Sequence, residues 1–154
     1  MRRLVVLALL LGLAAPAAAL AATAQPIPRF SLLEIDRKVG YRNFLPTRPI
    51  QGFTYYRWTD KANVLRVDFR NKAGATVEWR VQPMSGPCDA GKQKSFQLGG
   101  NKVWWAQNAT EQLAWRCVFD QAGKPIRLAA ATSLPQTKFA GAGLGTIVAH
   151  ANRH

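Results

Sequence analysis

The sequence predicts an α+β domain: a curved antiparallel sheet of about six to seven strands, with an N-terminal and a C-terminal helix packed on one face. Three observations predict it. Between Leu65 and Val81 apolar and polar residues alternate with a period of two, the mark of half-buried strands. Ahead of them, Ser31 to Gly40 carries the spacing of a short helix. Behind them, Pro135 to Ala149 is a second apolar, glycine-containing segment at the end of the chain.

Gln25-Pro26-Ile27-Pro28 reads as an extended leader. Ser31-Leu32-Leu33-Glu34 has the form of a capping box, in which the serine oxygen accepts a free N–H at the helix start and the glutamate reaches back. Leu32, Leu33, Ile35 and Val39 make the apolar stripe and Gly40 the stop, so a first helix is expected at about 31–39. Phe44-Leu45-Pro46-Thr47-Arg48-Pro49 is extended, and its prolines bar it from the middle of a sheet.

From Phe53 onward the pattern is that of strands. Leu65, Val67 and Phe69 alternate with Arg66, Asp68 and Arg70, and Val77, Trp79 and Val81 with Glu78 and Arg80. Asn71-Lys72-Ala73-Gly74 suits a three-residue hairpin loop with Gly74 in the left-handed region. That turn would set Phe69 opposite Val77, Val67 opposite Trp79 and Leu65 opposite Val81, matching the apolar faces. Further strands are expected at Ser95–Leu98, Lys102–Ala106, Gln112–Phe119 and Ile126–Ala131. They are separated by turn chemistry at Gly99-Gly100 and Asp120-Gln121-Ala122-Gly123. Phe139, Leu144, Ile147 and Val148 suggest the second helix, which Gly141, Gly143 and Gly145 weaken by about 1 kcal/mol each relative to alanine.

The first 24 residues are expected to be a secretory signal peptide. Arg2 and Arg3 give the positive end, Leu4 to Ala15 the apolar run, and Ala22-Thr23-Ala24 a small-residue cleavage site. An uncleaved anchor is the competing reading, since Leu4 to Ala24 approaches the ~20 residues of a membrane span. Pro16 and the alanine-rich end favour cleavage. Residues 25–149 then make a single exported domain, and residues 150–154 a C-terminal tail. No cysteine lies near the cleavage region, which argues against a lipid anchor, and no second apolar stretch is long enough to span.

The 154-residue chain carries a net charge of +13, and without Arg2 and Arg3 nineteen basic residues face eight acidic ones. Such a basic protein favours anionic partners. Outside the cytosol these are acidic envelope polymers, lipid head groups or another extracytoplasmic protein, with nucleic acid the least expected. Cys88 and Cys117 are the only cysteines. In an exported protein they read as one structural disulfide, closing a loop of about 30 residues and contributing about 3–4 kcal/mol in the chain-entropy model. The strand residues Leu113, Trp115, Cys117 and Phe119 alternate together, so this bridge is expected to fix the Pro83–Gly91 loop against the core.

The catalytic inventory is thin. His150 and His154 are the only histidines and sit in the expected tail, so a triad or a metal site has little to draw on. Asp68 and Glu78 share a face of one hairpin, but Arg66, Arg70 and Arg80 surround them and would hold both ionised. Gly141-Ala142-Gly143-Leu144-Gly145 lacks the spacing of a phosphate loop, and Asn108-Ala109-Thr110 matches only a short glycosylation triplet. No catalytic residue, cofactor or metal is expected, and the chain is not read as an enzyme. The aromatic residues are more informative. Trp104 and Trp105 are adjacent in one strand and must point to opposite faces, so one lies outside the main core unless both faces are covered. With Arg66, Arg70 and Arg80 they form the candidate ligand-binding set.

Three segments carry a resemblance to a known family: Ser31 to Gly40, Phe44 to Phe53 with its Phe-Leu-Pro-Thr and Pro-Ile-Gln-Gly-Phe runs, and Gly99-Gly100-Asn101-Lys102-Val103-Trp104-Trp105. Trp115, Ile126 to Thr132 and the closing helix follow in the same order. The chain resembles a bacterial extracytoplasmic domain of unknown function, found as the outer part of membrane-anchored anti-sigma factors and in stand-alone exported proteins. Its fold is similar to that of periplasmic lipoprotein carriers and sigma-E regulators (LolA/RseB-like). The resemblance implies no catalytic residues. This chain departs from the family in carrying neither a further anchor nor a sigma-binding part, which argues against signalling. The expected function is a non-catalytic exported binding module, secreted or held in the periplasm or cell envelope, for an apolar-anionic ligand or a protein partner. The alternative is a small structural protein held to anionic wall polymers by its charge.

Overall fold

The computed structural model describes residues 26–39, 44–88, 94–134 and 141–153. The signal-peptide expectation for residues 1–24, the expected helix start at 135–140 and His154 lie outside the described residues. α1 spans Arg29–Val39. The strands are β1 Phe44–Pro46, β2 Thr54–Lys61, β3 Val64–Arg70, β4 Thr76–Pro83, β5 Lys94–Leu98, β6 Asn101–Gln107, β7 Gln112–Phe119 and β8 Pro125–Thr132, followed by α2 Gly141–Ala149 and β9 Ala151–Arg153. β2 to β8 form one antiparallel seven-stranded sheet in the order β2-β3-β4-β8-β7-β6-β5, and β1 pairs with β9 in a separate two-stranded ribbon.

The β3–β4 hairpin has the register its turn dictates: Phe69 lies opposite Val77, Val67 opposite Trp79 and Leu65 opposite Val81. Gly74 closes the turn at φ 84°, where a side chain would be strained. These residues bury fully, and with Ile126, Leu128 and Ala130 of β8, Ala114 of β7 and Val103 of β6 they make the inner face of the sheet. Leu32, Ile35 and Val39 of α1, and Leu144 and Val148 of α2, belong to the same buried cluster. The Trp79 indole donates to the Phe44 carbonyl at 2.9 Å, so the largest core side chain is polar-satisfied and ties β1 to the sheet.

Two expectations are corrected. Ser31 is not the helix cap: α1 begins at Arg29, the Leu32 N–H donates to the Pro28 carbonyl at 3.0 Å, and Ser31 is buried inside the first turn. Pro28 stands at the cap position, its carbonyl accepting the first helical bond, so the helix begins ahead of the serine. Nor do Ala151–Arg153 belong to a tail. They pair with Phe44–Pro46, Thr47 Oγ1 donates to the His150 carbonyl, and Ala151 is fully buried.

The sheet's other face is polar at one end and aromatic at the other. β7 places Gln112, Ala114 and Arg116 inward, opposite Thr132, Ala130 and Leu128, so Leu113, Trp115, Cys117 and Phe119 point outward. The Cys88–Cys117 disulfide is present, with its Cα atoms 5.9 Å apart. It fixes the segment around Cys88 to this outer face, not to the core.

Candidate functional site

Strand pairing lines up the outward residues in a row across the sheet. Arg66 lies opposite Arg80, Arg80 opposite Ala129, Ala129 opposite Trp115, Trp115 opposite Trp104 and Trp104 opposite Ser95. Three of the five predicted ligand residues therefore share one row, and Arg70 is on the same face of β3. Arg80 and Trp104 are separated by β8 and β7, about 14 Å at the usual strand spacing. Trp105 is not part of this face. It lies opposite Ala114, packs against the core and is half-buried, with Lys94 Nζ 5.8 Å from its ring centroid.

The aromatic end is built on β6 and β7. Trp104 stacks on Trp115 with centroids 6.4 Å apart and planes 15° apart. Trp115 is buried because the disulfide-held segment covers it, and its indole donates to the Cys88 carbonyl at 3.1 Å. Trp104 stays partly exposed and lines an apolar pocket of about 430 Å³, with Gly86, Pro87, the two cysteines, Phe119 and Pro125. Phe119 is 66% exposed, although it is a large apolar side chain. Cations sit at this end: Lys102 Nζ is 5.1 Å from the Trp104 centroid, and the Arg127 guanidinium 5.8 Å from that of Trp115. Such distances suit cation–π attraction.

The polar end holds a second pocket of about 350 Å³, lined among others by Thr76, Glu78, Arg80, Asn108, Glu111 and Ser133. Arg80 donates to Glu78 and, at 2.8 Å, to Glu111. Burial opposes its charge, but the hydrogen bonds and attraction of both carboxylates outweigh that and raise its pKa. Arg57 donates to Asp68 at 2.8 Å, and that bond raises the Arg57 pKa. Asp68 and Glu78 stand directly opposite each other, each held by an arginine. The Asn108 carboxamide oxygen accepts from the Thr110 and Glu111 amides and so shapes the turn beside this pocket.

His150 Nδ1 lies 2.8 Å from the Thr146 carbonyl oxygen. Among the described residues no group of three histidine, cysteine or carboxylate side chains is placed to hold a metal ion, and no helix is long and apolar enough to cross a membrane. Sequence reasoning missed Lys102, Phe119 and Pro87 around Trp104. The signal for Phe119 is its alternation with Trp115 and Cys117, a set that lies on the outer face of β7 and not on the core side. Comparison with known proteins finds no family model, curated protein or solved structure that matches this chain.

Proposed function

We propose that this protein is a non-catalytic exported binding module whose outer sheet face takes an apolar group bearing an anionic end. The observation that carries this reading is the Trp104 pocket: an open, apolar recess with an exposed aromatic wall and cations beside it. Solvent-facing apolar recesses rimmed by charge are typical of ligand sites. Export fits the disulfide, which persists in oxidising compartments and here forms one wall of the recess. In this proposal both helices cover the inner face, leaving the outer face for the ligand. The resemblance to an extracytoplasmic domain of unknown function, with a LolA/RseB-like fold, is part of the same reading.

Anilinonaphthalene sulfonate, an apolar ring system with one fixed negative charge, is a suitable probe. Its fluorescence should rise on binding and should persist in about 1 M salt, where charge attraction is screened beyond about 3 Å. Trp104→Ala should abolish most of the signal while the variant still unfolds cooperatively, its melt lowered only by the loss of the stack on Trp115. Loss of binding in salt would leave only electrostatic retention, and an unchanged signal in Trp104→Ala would remove the pocket from the account.

A further inference from the structure

A β-bulge in β2 collects a second, cationic site at the opposite edge of the outer face. Tyr55 pairs with Phe69 on the inner side, yet Arg57, two residues on, pairs with Asp68 on the outer side. Strict alternation would send Arg57 inward and Trp58 outward. The extra residue instead lets Trp58 pack against the core opposite Val67 and leaves both Tyr56 and Arg57 exposed. Bulges of this kind re-aim side chains at the expense of a ladder bond.

What the bulge gathers is mainly basic, around one carboxylate: Asp68 lies between Arg66 and Arg70 on β3 and accepts from Arg57 Nε at 2.8 Å, which leaves the terminal nitrogens of Arg57 available. The Arg70 guanidinium lies 3.8 Å from the Tyr56 ring centroid and the Arg57 guanidinium 5.5 Å from it. Among the described residues no carboxylate is paired with Arg70. Arg66, half-exposed, reaches Glu78 only at 4.0 Å, and Glu78 is already bonded to Arg80. Stacking on Tyr56 occupies the face of a guanidinium and leaves its in-plane N–H fork free, the geometry that matches phosphate. Arg66 and Arg70 stand four residues apart on one strand, about 13 Å, with Arg57 between them on the next strand. One small anion cannot touch all three; a chain carrying a charge every few bonds can.

We infer that Tyr56, Arg57, Arg66 and Arg70 form a binding site for a linear phosphate-bearing polymer, distinct from the Trp104 pocket. The test is titration of the purified protein with inorganic polyphosphate across a range of salt. Arg66→Gln/Arg70→Gln should weaken binding about tenfold at about 0.15 M salt and flatten the dependence of log K on log salt by about two charges' worth. Arg37→Gln/Lys124→Gln removes the same charge from exposed positions elsewhere, and should weaken binding less than about threefold. Tyr56→Ser should give an intermediate loss by freeing the guanidiniums to move. Trp104→Ala should leave polyphosphate binding unchanged, so this site and the pocket stand or fall separately. Equal losses in the two charge-matched variants would overturn the site, because net charge alone would then explain the binding. Equal affinity for polygalacturonate, a carboxylate polymer, would overturn the phosphate assignment. A cooperative melt well above the assay temperature establishes that each variant is folded.

Discussion

The Arg116 guanidinium, buried on the inner face of β7, donates to the Ala151 carbonyl and so clamps the last strand to the middle of the sheet. Its other terminal nitrogen donates to Asn101 Oδ1 at 2.6 Å, while Asn101 Nδ2 donates to the Ala149 carbonyl at 3.2 Å. Two side chains thus satisfy the backbone where α2 ends and β9 begins. Lysine has no planar fork, so Arg116→Lys should orphan one buried acceptor and cost about 1–3 kcal/mol. Burial lowers the Arg116 pKa. For a base, a lowered folded-state pKa means that the charge is disfavoured on folding at every pH below that value, and the cost is relieved only as pH rises through it. An arginine stays charged far above neutrality, so the loss should be constant between about pH 5 and about pH 8. Urea denaturation midpoints across that range check it.

The disulfide should matter to stability and to the pocket together. Cys88→Ala/Cys117→Ala opens a loop with a sequence separation of 29, and should lower stability by about 3 kcal/mol. The same change frees the Cys88 carbonyl that accepts the Trp115 indole. Near-ultraviolet circular dichroism should therefore lose tryptophan intensity well below the melting temperature.

The stacked tryptophans should separate into a structural and a ligand-facing partner. Trp115 is buried with its indole bonded, and Trp115→Ala should cost about 3–5 kcal/mol. Trp104 is partly exposed and loses mainly the stack, about 0.5–1.5 kcal/mol. Thermal melts of the two variants measure the difference, and a comparable loss in both would show that Trp104 serves the fold instead.

The β3–β4 hairpin was legible to the residue because one of its faces is core and the other solvent, so alternation and turn length agree. β7 was misread for the opposite reason. Its apolar set, Leu113, Trp115, Cys117 and Phe119, points away from the core, while Gln112 and Arg116 point toward it. Near Trp115 the segment held by Cys88 covers the outer face, so both sides of this strand bury side chains and hydrophobicity no longer names the core side. The bulge at Tyr56 was illegible for a related reason. Tyr55 and Trp58 are both inward and three apart, a spacing that breaks the strand period of two and by itself imitates a helix. Of the candidate site, Trp104 and the arginines could be read from exposure patterns. Their arrangement in one row depends on strand order, which no local pattern encodes.

Gly145 offers the sharpest test of how α2 docks. A Cβ there would lie 2.6 Å from Phe96 Cζ and 3.6 Å from Val103 Cγ1. In an exposed helix, alanine for glycine would gain about 1 kcal/mol. Here the helix sits on β5 and β6 with no room for the methyl group, and overpacking costs about 1–3 kcal/mol, so Gly145→Ala should be neutral to destabilising by about 2 kcal/mol. Phe96→Leu alone should also destabilise, because it removes part of a ring packed against the core. Combined, the two changes should be less harmful than their sum, because the shortened side chain vacates the space the new Cβ needs. A double-mutant cycle on denaturation midpoints measures that coupling. Simple additivity would mean that α2 shifts to accept the methyl group without calling on Phe96.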